Sequence, residues 1–205
     1  MEAVTGAAGR SWRWVATGRG SAEPAGEATD AAVLAAIAAG DGGALSELYR
    51  RHARALFGYL LRVCGDRMTA EEILQDTLLA VWRGADTFEA RSSVRTWLFA
   101  VARRQAYQRL RLQPAPVPVE PAEVADAAPG PDELAVLASG GTAVAGAIAR
   151  LAAHHRDVIG LAMVAGLPLA EVAEIIGVPV GTVKSRLFHG RAALARMLAE
   201  EGRRA

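Results

Sequence analysis

The chain has 205 residues, of which 52% are hydrophobic and 5% aromatic, and its formal net charge is +1. Much of the hydrophobic share is alanine, which favours helices with modest cores over a large β-sheet protein, and the near-neutral total leaves charge distribution to decide whether nucleic acid is a partner. The single cysteine, Cys64, excludes an internal disulfide framework, and no apolar run reaches the roughly 18 residues that insertion of a membrane-spanning helix requires.

Residues 1–29 read as a disordered N-terminal tail of Gly, Ala, Ser and Arg with Trp12 and Trp14 among them. No hydrophobic segment follows the arginines, so no secretory signal is expected. A first helical unit is predicted over 30–112. Asp30 can cap a helix carrying Val33, Leu34 and Ile37 that ends at Gly40. Asp41 and a Gly pair restart the chain. Leu45, Leu48, Tyr49, His52, Leu56 and Tyr59 then mark a long second helix running to Gly65. Cys64 sits in its apolar run, where a buried thiol is expected rather than a reactive one.

Thr69, with Glu72 three residues on, predicts a capping box at the start of a third helix. Its inner face is Ala70, Leu74, Leu78 and Val81. Glu72, Asp76, Leu79 and Arg83 fall opposite, with Gln75 adjacent. Such a face is ordinarily solvated, and an exposed Leu79 among charges hints at a protein contact.

A polar loop over 85–95 closes on Ser92-Ser93, which can cap a helix from Val94. From Arg91 to Arg111 the sequence carries six arginines, including Arg95, Arg103 and Arg104, and no acid. Trp97, Phe99 and Tyr107 lie among them. Two readings stand side by side: a surface for phosphates and unstacked bases, or core aromatics with solvated arginines.

Residues 113–141 form a Pro-rich linker whose charges are all acidic, without core residues for a fold of its own. The second unit, 142–205, carries Val144, Ile148 and Leu151 on one helix and Val158, Leu161 and Val164 on another ending at Gly166. The pattern predicts four helices, the last two a helix-turn-helix. Val172, Ile175 and Ile176 share one face, and Gly177 supplies the positive-φ stop. Val183, Leu187, Gly190, Leu194 and Leu198 make the buried stripe of the last helix. Half a turn away lie Ser185, Phe188 and His189, flanked by Lys184. Phe188 opposite the core stripe needs something apolar outside the unit: a thymine methyl in a major groove, or a neighbouring helix in a plain bundle.

Both units together resemble the sigma-70 family, in its extracytoplasmic-function (ECF) subfamily. Region 2 is matched by Gly40-Asp41, by Leu48 to His52, by Ala70 to Asp76, by Val81-Trp82 and by Thr96 to Leu98. Region 4 is matched by His155-Arg156, Gly166-Leu167, Glu171 to Ala173 and Gly181 to Arg186. The resemblance implies an all-α protein of two small helical domains joined by a flexible linker, the C-terminal one a helix-turn-helix. It implies a cytoplasmic sigma factor, with core RNA polymerase and promoter DNA as partners and an anti-sigma factor as regulator. Glu72, Gln75, Asp76 and Leu79 would dock on the polymerase. Arg91, Ser92, Arg95, Trp97, Arg103 and Arg104 would serve the −10 element and strand melting. Lys184, Ser185, Phe188 and His189 would read the −35 element, with Arg186 and Arg191 on phosphate. The family's usual Asp, Asn and Leu-Pro are replaced here by Glu72, Arg104 and Leu151-Ala152, and His189 stands where a basic residue is common.

No nucleophile–base pair, metal-ligand cluster or phosphate-cradling Gly loop suggests catalysis or a cofactor. Two rival functions are a stand-alone helix-turn-helix regulator, which leaves the first unit unexplained, and a protein-interaction module without promoter activity.

Overall fold

The computed structural model describes residues 29–110 and 142–203. The regions expected as a tail (residues 1–28 of it) and as a linker (113–141) lie outside the described residues. No strand occurs among those described.

The first unit is α1 (Asp30–Ala38), α2 (Gly42–Cys64), α3 (Arg67–Gly84), a one-turn 3₁₀ helix (Ala85–Thr87) and α4 (Val94–Arg109). Two caps differ from the sequence reading. Thr29, not Asp30, caps α1, its hydroxyl accepting from the Ala32 N–H. Asp30 turns inward instead, bonding Arg51 at 2.9 Å and His52 at 2.6 Å. A carboxylate that meets two donors across the helix pair gains more than one capping a single amide. Similarly, α3 begins earlier than expected, with Asp66 accepting from the Thr69 N–H at 2.8 Å. Asp41 caps α2, and Gly65 ends it at φ 74°.

Leu34, Ile37, Leu48, Leu56, Tyr59, Leu60, Ile73, Leu98 and Phe99 fill the core between these helices. Each such side chain contributes about 1.5–3 kcal/mol on burial. Phe99 is thus a core aromatic, edge-on to Tyr59 at 5.7 Å. Tyr49, grouped by periodicity with the α2 core, is exposed; it follows the stripe residue Leu48 and so lies past the edge of the buried face. The Cys64 thiol is half-buried, and burial together with Asp66 pushes its pKa up to about 11, which suppresses the reactive thiolate.

The second unit is α5 (Thr142–Ala149), α6 (Ala153–Ile159) running into a π-helical turn (Gly160–Val164), α7 (Leu169–Ile176) and α8 (Val180–Gly202). Gly166 and Gly177 take positive φ where helices stop. Gly190 lets α8 cross α6 closely: a Cβ there would stand 3.0 Å from Ile159 Cδ1 and 3.2 Å from His155 Cβ.

The two units pack against each other through one continuous core. The π-helical turn lies against α2, where a Cβ on Gly160 would stand 3.0 Å from the Tyr59 ring. Gly65 approaches Ala149 of α5. Arg156 donates to the Val63 carbonyl at 2.8 Å and to the Leu151 carbonyl at 2.9 Å, tying the end of α2 to the second unit.

Candidate functional site

Three surfaces carry the residues singled out in the sequence. On α8, the stripe of Val183, Leu187, Gly190 and Leu194 is buried against α5, α6 and α7. Phe188 is 52% exposed on the outer side, edge-on to the exposed His189 ring at 5.3 Å. Lys184 and Arg191 are half-buried at the flanks. Two residues expected to face outward do not. Arg186 is buried, because it lies three residues from Val183 and four from Gly190 and so joins the edge of the inward stripe. Ser185 is 1% exposed.

On α4 and the loop before it, the cations do not form one open patch. Ser93 caps the helix through the Thr96 N–H at 3.0 Å. Ala90 holds a positive φ of 52°, a strained conformation for a residue with a Cβ, and it sets the turn into Arg91. Arg91 is exposed and paired with Glu89; Ser92 is partly exposed and Arg104 exposed. Trp97 is half-buried, edge-on to Phe88 at 5.7 Å. Arg95 donates to the Ala165 carbonyl of the second unit. Thr96 donates to Glu171 of α7 at 2.5 Å. Arg103 pairs with Asp157 of α6 at 2.9 Å, and Tyr107 donates to the same carboxylate oxygen.

That last cluster is the part no local sequence pattern indicated. Asp157 sits in the interface with its side chain 3% exposed. Burial works against the Arg103 guanidinium, but Asp157 with the two tyrosines outweighs it and raises its pKa. Burial, then the Asp157 charge, hold both the Tyr59 and Tyr107 hydroxyls protonated beyond the ordinary tyrosine range.

The third surface is the outer face of α3. Glu72, Gln75 and Leu79 are exposed and Asp76 is half-buried, so the structure brings the four together on one side as the helical period required. Leu79 is 51% exposed. Arg109, from the end of α4, bonds Glu72 and reaches Asp76 at 3.5 Å. Around the corner, Tyr49, Met68 and Trp82 add exposed apolar surface. Tyr49 and Phe57 line a groove between α2 and α3, where Arg67 lies over the Phe57 ring at 5.4 Å.

Comparison with known proteins follows the same division. Residues 48–113 match the model for Sigma-70 region 2, and residues 142–194 match that for Sigma-70, region 4. The ECF RNA polymerase sigma factor SigM of Mycobacterium tuberculosis is 36% identical over 172 residues, covering 84% of this chain and 86% of that protein. The ECF RNA polymerase sigma factor RpoE of Cereibacter sphaeroides is 33% identical over 158 residues, covering 77% and 86%. Among solved structures, the sigma factor RpoE in complex with the anti-sigma factor NepR from Bartonella quintana aligns with TM-score 0.58 at 25% identity, covering 75% of this chain and 96% of that one. CnrH, in complex with the cytosolic domain of CnrY, shares the fold, with TM-score 0.63 over 83% of this chain and 97% of that one at 24% identity. The chain belongs to the ECF subfamily of sigma-70 RNA polymerase sigma factors. It is a factor of transcription initiation, with an all-α fold of two sigma domains. No helix among the described residues is long and apolar enough to cross a membrane.

Proposed function

We propose that this chain binds core RNA polymerase through the outer face of α3 and directs it to promoters by reading the −35 element with α8 and the −10 element with the 91–104 segment. The observation that carries the reading is the pair of exposed apolar residues in polar settings. Phe188 stands on the outer side of the helix-turn-helix beside His189, where a groove would cover it. Leu79 stands among Glu72, Gln75 and Asp76, where a partner protein would. Lys184 and Arg191 flank Phe188 and suit phosphate and base edges. Ser185 and Arg186 are buried and so not open to DNA in this arrangement.

On the first unit, Arg91, Ser92 and Arg104 are accessible to DNA, whereas Arg95, Trp97 and Arg103 are engaged or half-buried. The domains so used are 30–112 and 142–205, with residues 113–141 joining them. RNA synthesis belongs to the polymerase; this subunit supplies binding energy and strand capture in the cytoplasm, without catalysis of its own. An anti-sigma factor is the natural regulator, since two structurally similar proteins are recorded in complexes, one of them with an anti-sigma factor. A stand-alone regulator would leave the α3 face unused.

Co-purification with bacterial core RNA polymerase, followed by run-off transcription on genomic fragments, tests the reading. Initiation at defined start sites that depends on this chain is the expected result. Sequence-specific duplex binding without any association with core would replace it with the stand-alone regulator.

A further inference from the structure

Trp12 and Trp14 are two of the chain's four tryptophans, yet they stand well before residue 48, where the family match begins. They flank Arg13 in a stretch, residues 3–22, that carries Arg10, Arg13 and Arg19 and no acid. Each indole brings a large apolar face and one N–H donor, and both ask for a partner.

A groove between α2 and α3 has the matching chemistry. It holds about 400 Å³ and is lined by Tyr49, Phe57, Leu78, Arg67, Glu71 and Gln75. Tyr49 is 47% exposed at one end. Arg67 already lies over the Phe57 ring at 5.4 Å, and an indole laid there would extend that stack. Glu71 and Gln75 carry oxygens that can accept from an indole N–H. Three carboxylates, on Glu71, Glu72 and Asp76, stand on or beside the α3 wall and complement the arginines of residues 10–19. Arg67 and Arg109 hold them from one side, and each keeps lone pairs for a second cation.

The point of attachment favours this chain's own segment over a separate partner. Thr29 caps α1, and Asp30 bonds Arg51 and His52 of α2. The chain therefore enters the first unit within one helical turn of Tyr49. Fifteen residues separate Trp14 from Thr29, and such a length can span up to about 50 Å. A tethered segment meets a site within its reach at roughly millimolar effective concentration, so a contact too weak to hold a free peptide is enough.

We propose that residues 10–19 dock in the α2–α3 groove of their own chain, with Trp12 and Trp14 against Tyr49 and Phe57 and the arginines on the α3 carboxylates. The docking rests on the groove and the segment. Its consequence rests on the sigma-factor reading: Gln75 both lines the groove and stands on the face offered to polymerase, so segment and polymerase exclude each other. Core polymerase then meets only the fraction of molecules whose groove is empty, and its apparent affinity falls by that fraction.

The test uses the full-length chain with fluorotryptophan in place of tryptophan, read by fluorine NMR. Trp12→Phe and Trp14→Phe each remove one line and so assign it. Both lines should be displaced from their positions in urea, and the displacement should not change on dilution. Tyr49→Glu puts a charge into the groove and should return both lines towards the urea positions. Arg67→Glu, at a side chain 73% exposed, should do the same and serves should Tyr49→Glu fail to fold. Trp12→Ala with Trp14→Ala should tighten binding to immobilised core polymerase about fivefold.

Lines at their urea positions in the native chain, or lines that neither groove variant moves, overturn the docking. A displacement that disappears on dilution gives the groove to a second copy and overturns docking within one chain. Unchanged or weaker polymerase binding by Trp12→Ala with Trp14→Ala overturns the competition. If the parent chain and this variant both fail to bind core polymerase, the sigma-factor reading falls, while displaced lines that return with Tyr49→Glu still support the docking.

Discussion

The two surfaces proposed for DNA stand in opposite conditions. On α8, Phe188 and His189 project outward. On α4, Arg95, Thr96, Arg103 and Tyr107 are bonded to the second unit, which supplies the Ala165 carbonyl, Glu171 and Asp157. Both surfaces belong to one chain, yet the one on α4 is partly engaged while the units are packed, with Arg91 and Arg104 left exposed. The difference teaches that a basic helix is not a free basic surface. Its arginines find acceptors wherever the fold brings them, and burial makes such pairs costly to leave half-made.

The largest expected effect separates both DNA surfaces from the polymerase face. Asp76→Arg with Leu79→Ala should weaken association with core polymerase by about a hundredfold, the scale of a lost hot spot. Binding of a mixed-sequence oligonucleotide should be unchanged. Surface-immobilised core polymerase would measure the first and fluorescence anisotropy the second.

Next, Lys184→Ala with Phe188→Ala should reduce promoter-complex formation by about tenfold or more, on a loss of ~1–3 kcal/mol. Polymerase association should hold. Gel-shift assays of the holoenzyme on its promoters would show it. Because α8 already projects outward, the loss should be the same in an Asp157→Asn background. Dependence on that background would break the comparison between an open and an occupied surface.

A smaller effect concerns how α8 is seated. Gly190→Ala places a methyl against Ile159 and the His155 Cβ, and such overpacking costs about 1–3 kcal/mol, less the helix-propensity gain of Ala over Gly. Thermal melting should show a modest net loss of stability, with DNA binding by the folded fraction retained.

The smallest effect sharpens the occupied surface. Tyr59 and Tyr107 have pKa values raised by burial and by Asp157. A group that holds its proton more tightly in the packed state loses stability for that state once the pH passes its value in the open chain, near the ordinary 10 of tyrosine. The packed arrangement should therefore weaken above about pH 10. An absorbance titration of tyrosinate should show both residues ionising late, and Asp157→Asn should bring them down part of the way.

Much of this was legible in the sequence because it is local. Periodicity set Val183, Leu187 and Leu194 inward and Phe188 outward, and it brought Glu72, Gln75, Asp76 and Leu79 to one face. Gly65 and Gly177 marked helix ends through their positive φ. The misses came from competition. Asp30 and Thr29 could each cap α1, and only the position of Arg51 and His52, a further helix away, decides which one does. Ser185 lies half a turn from the core stripe and is still only 1% exposed, so helical phase alone does not foretell its burial. Asp157 carries no local signal at all: its partners lie 98, 54 and 50 residues away, in another unit. Of the two readings of the arginine-aromatic helix, the core one describes Phe99, while Arg103 is not solvated as that reading had it but held by Asp157.

The most direct measurement is the distance between labels on exposed Arg83 of α3 and Arg196 of α8, each changed to Cys in a Cys64→Ala background. It would be read by energy transfer, first in the free chain and then with core polymerase. A short distance in the free chain that lengthens on core polymerase is the expected result, with the second unit leaving α4 as the polymerase engages α3. An unchanged short distance in an initiation-competent complex would contradict the account, because the α4 cations would then still be held by their own chain while the promoter is bound.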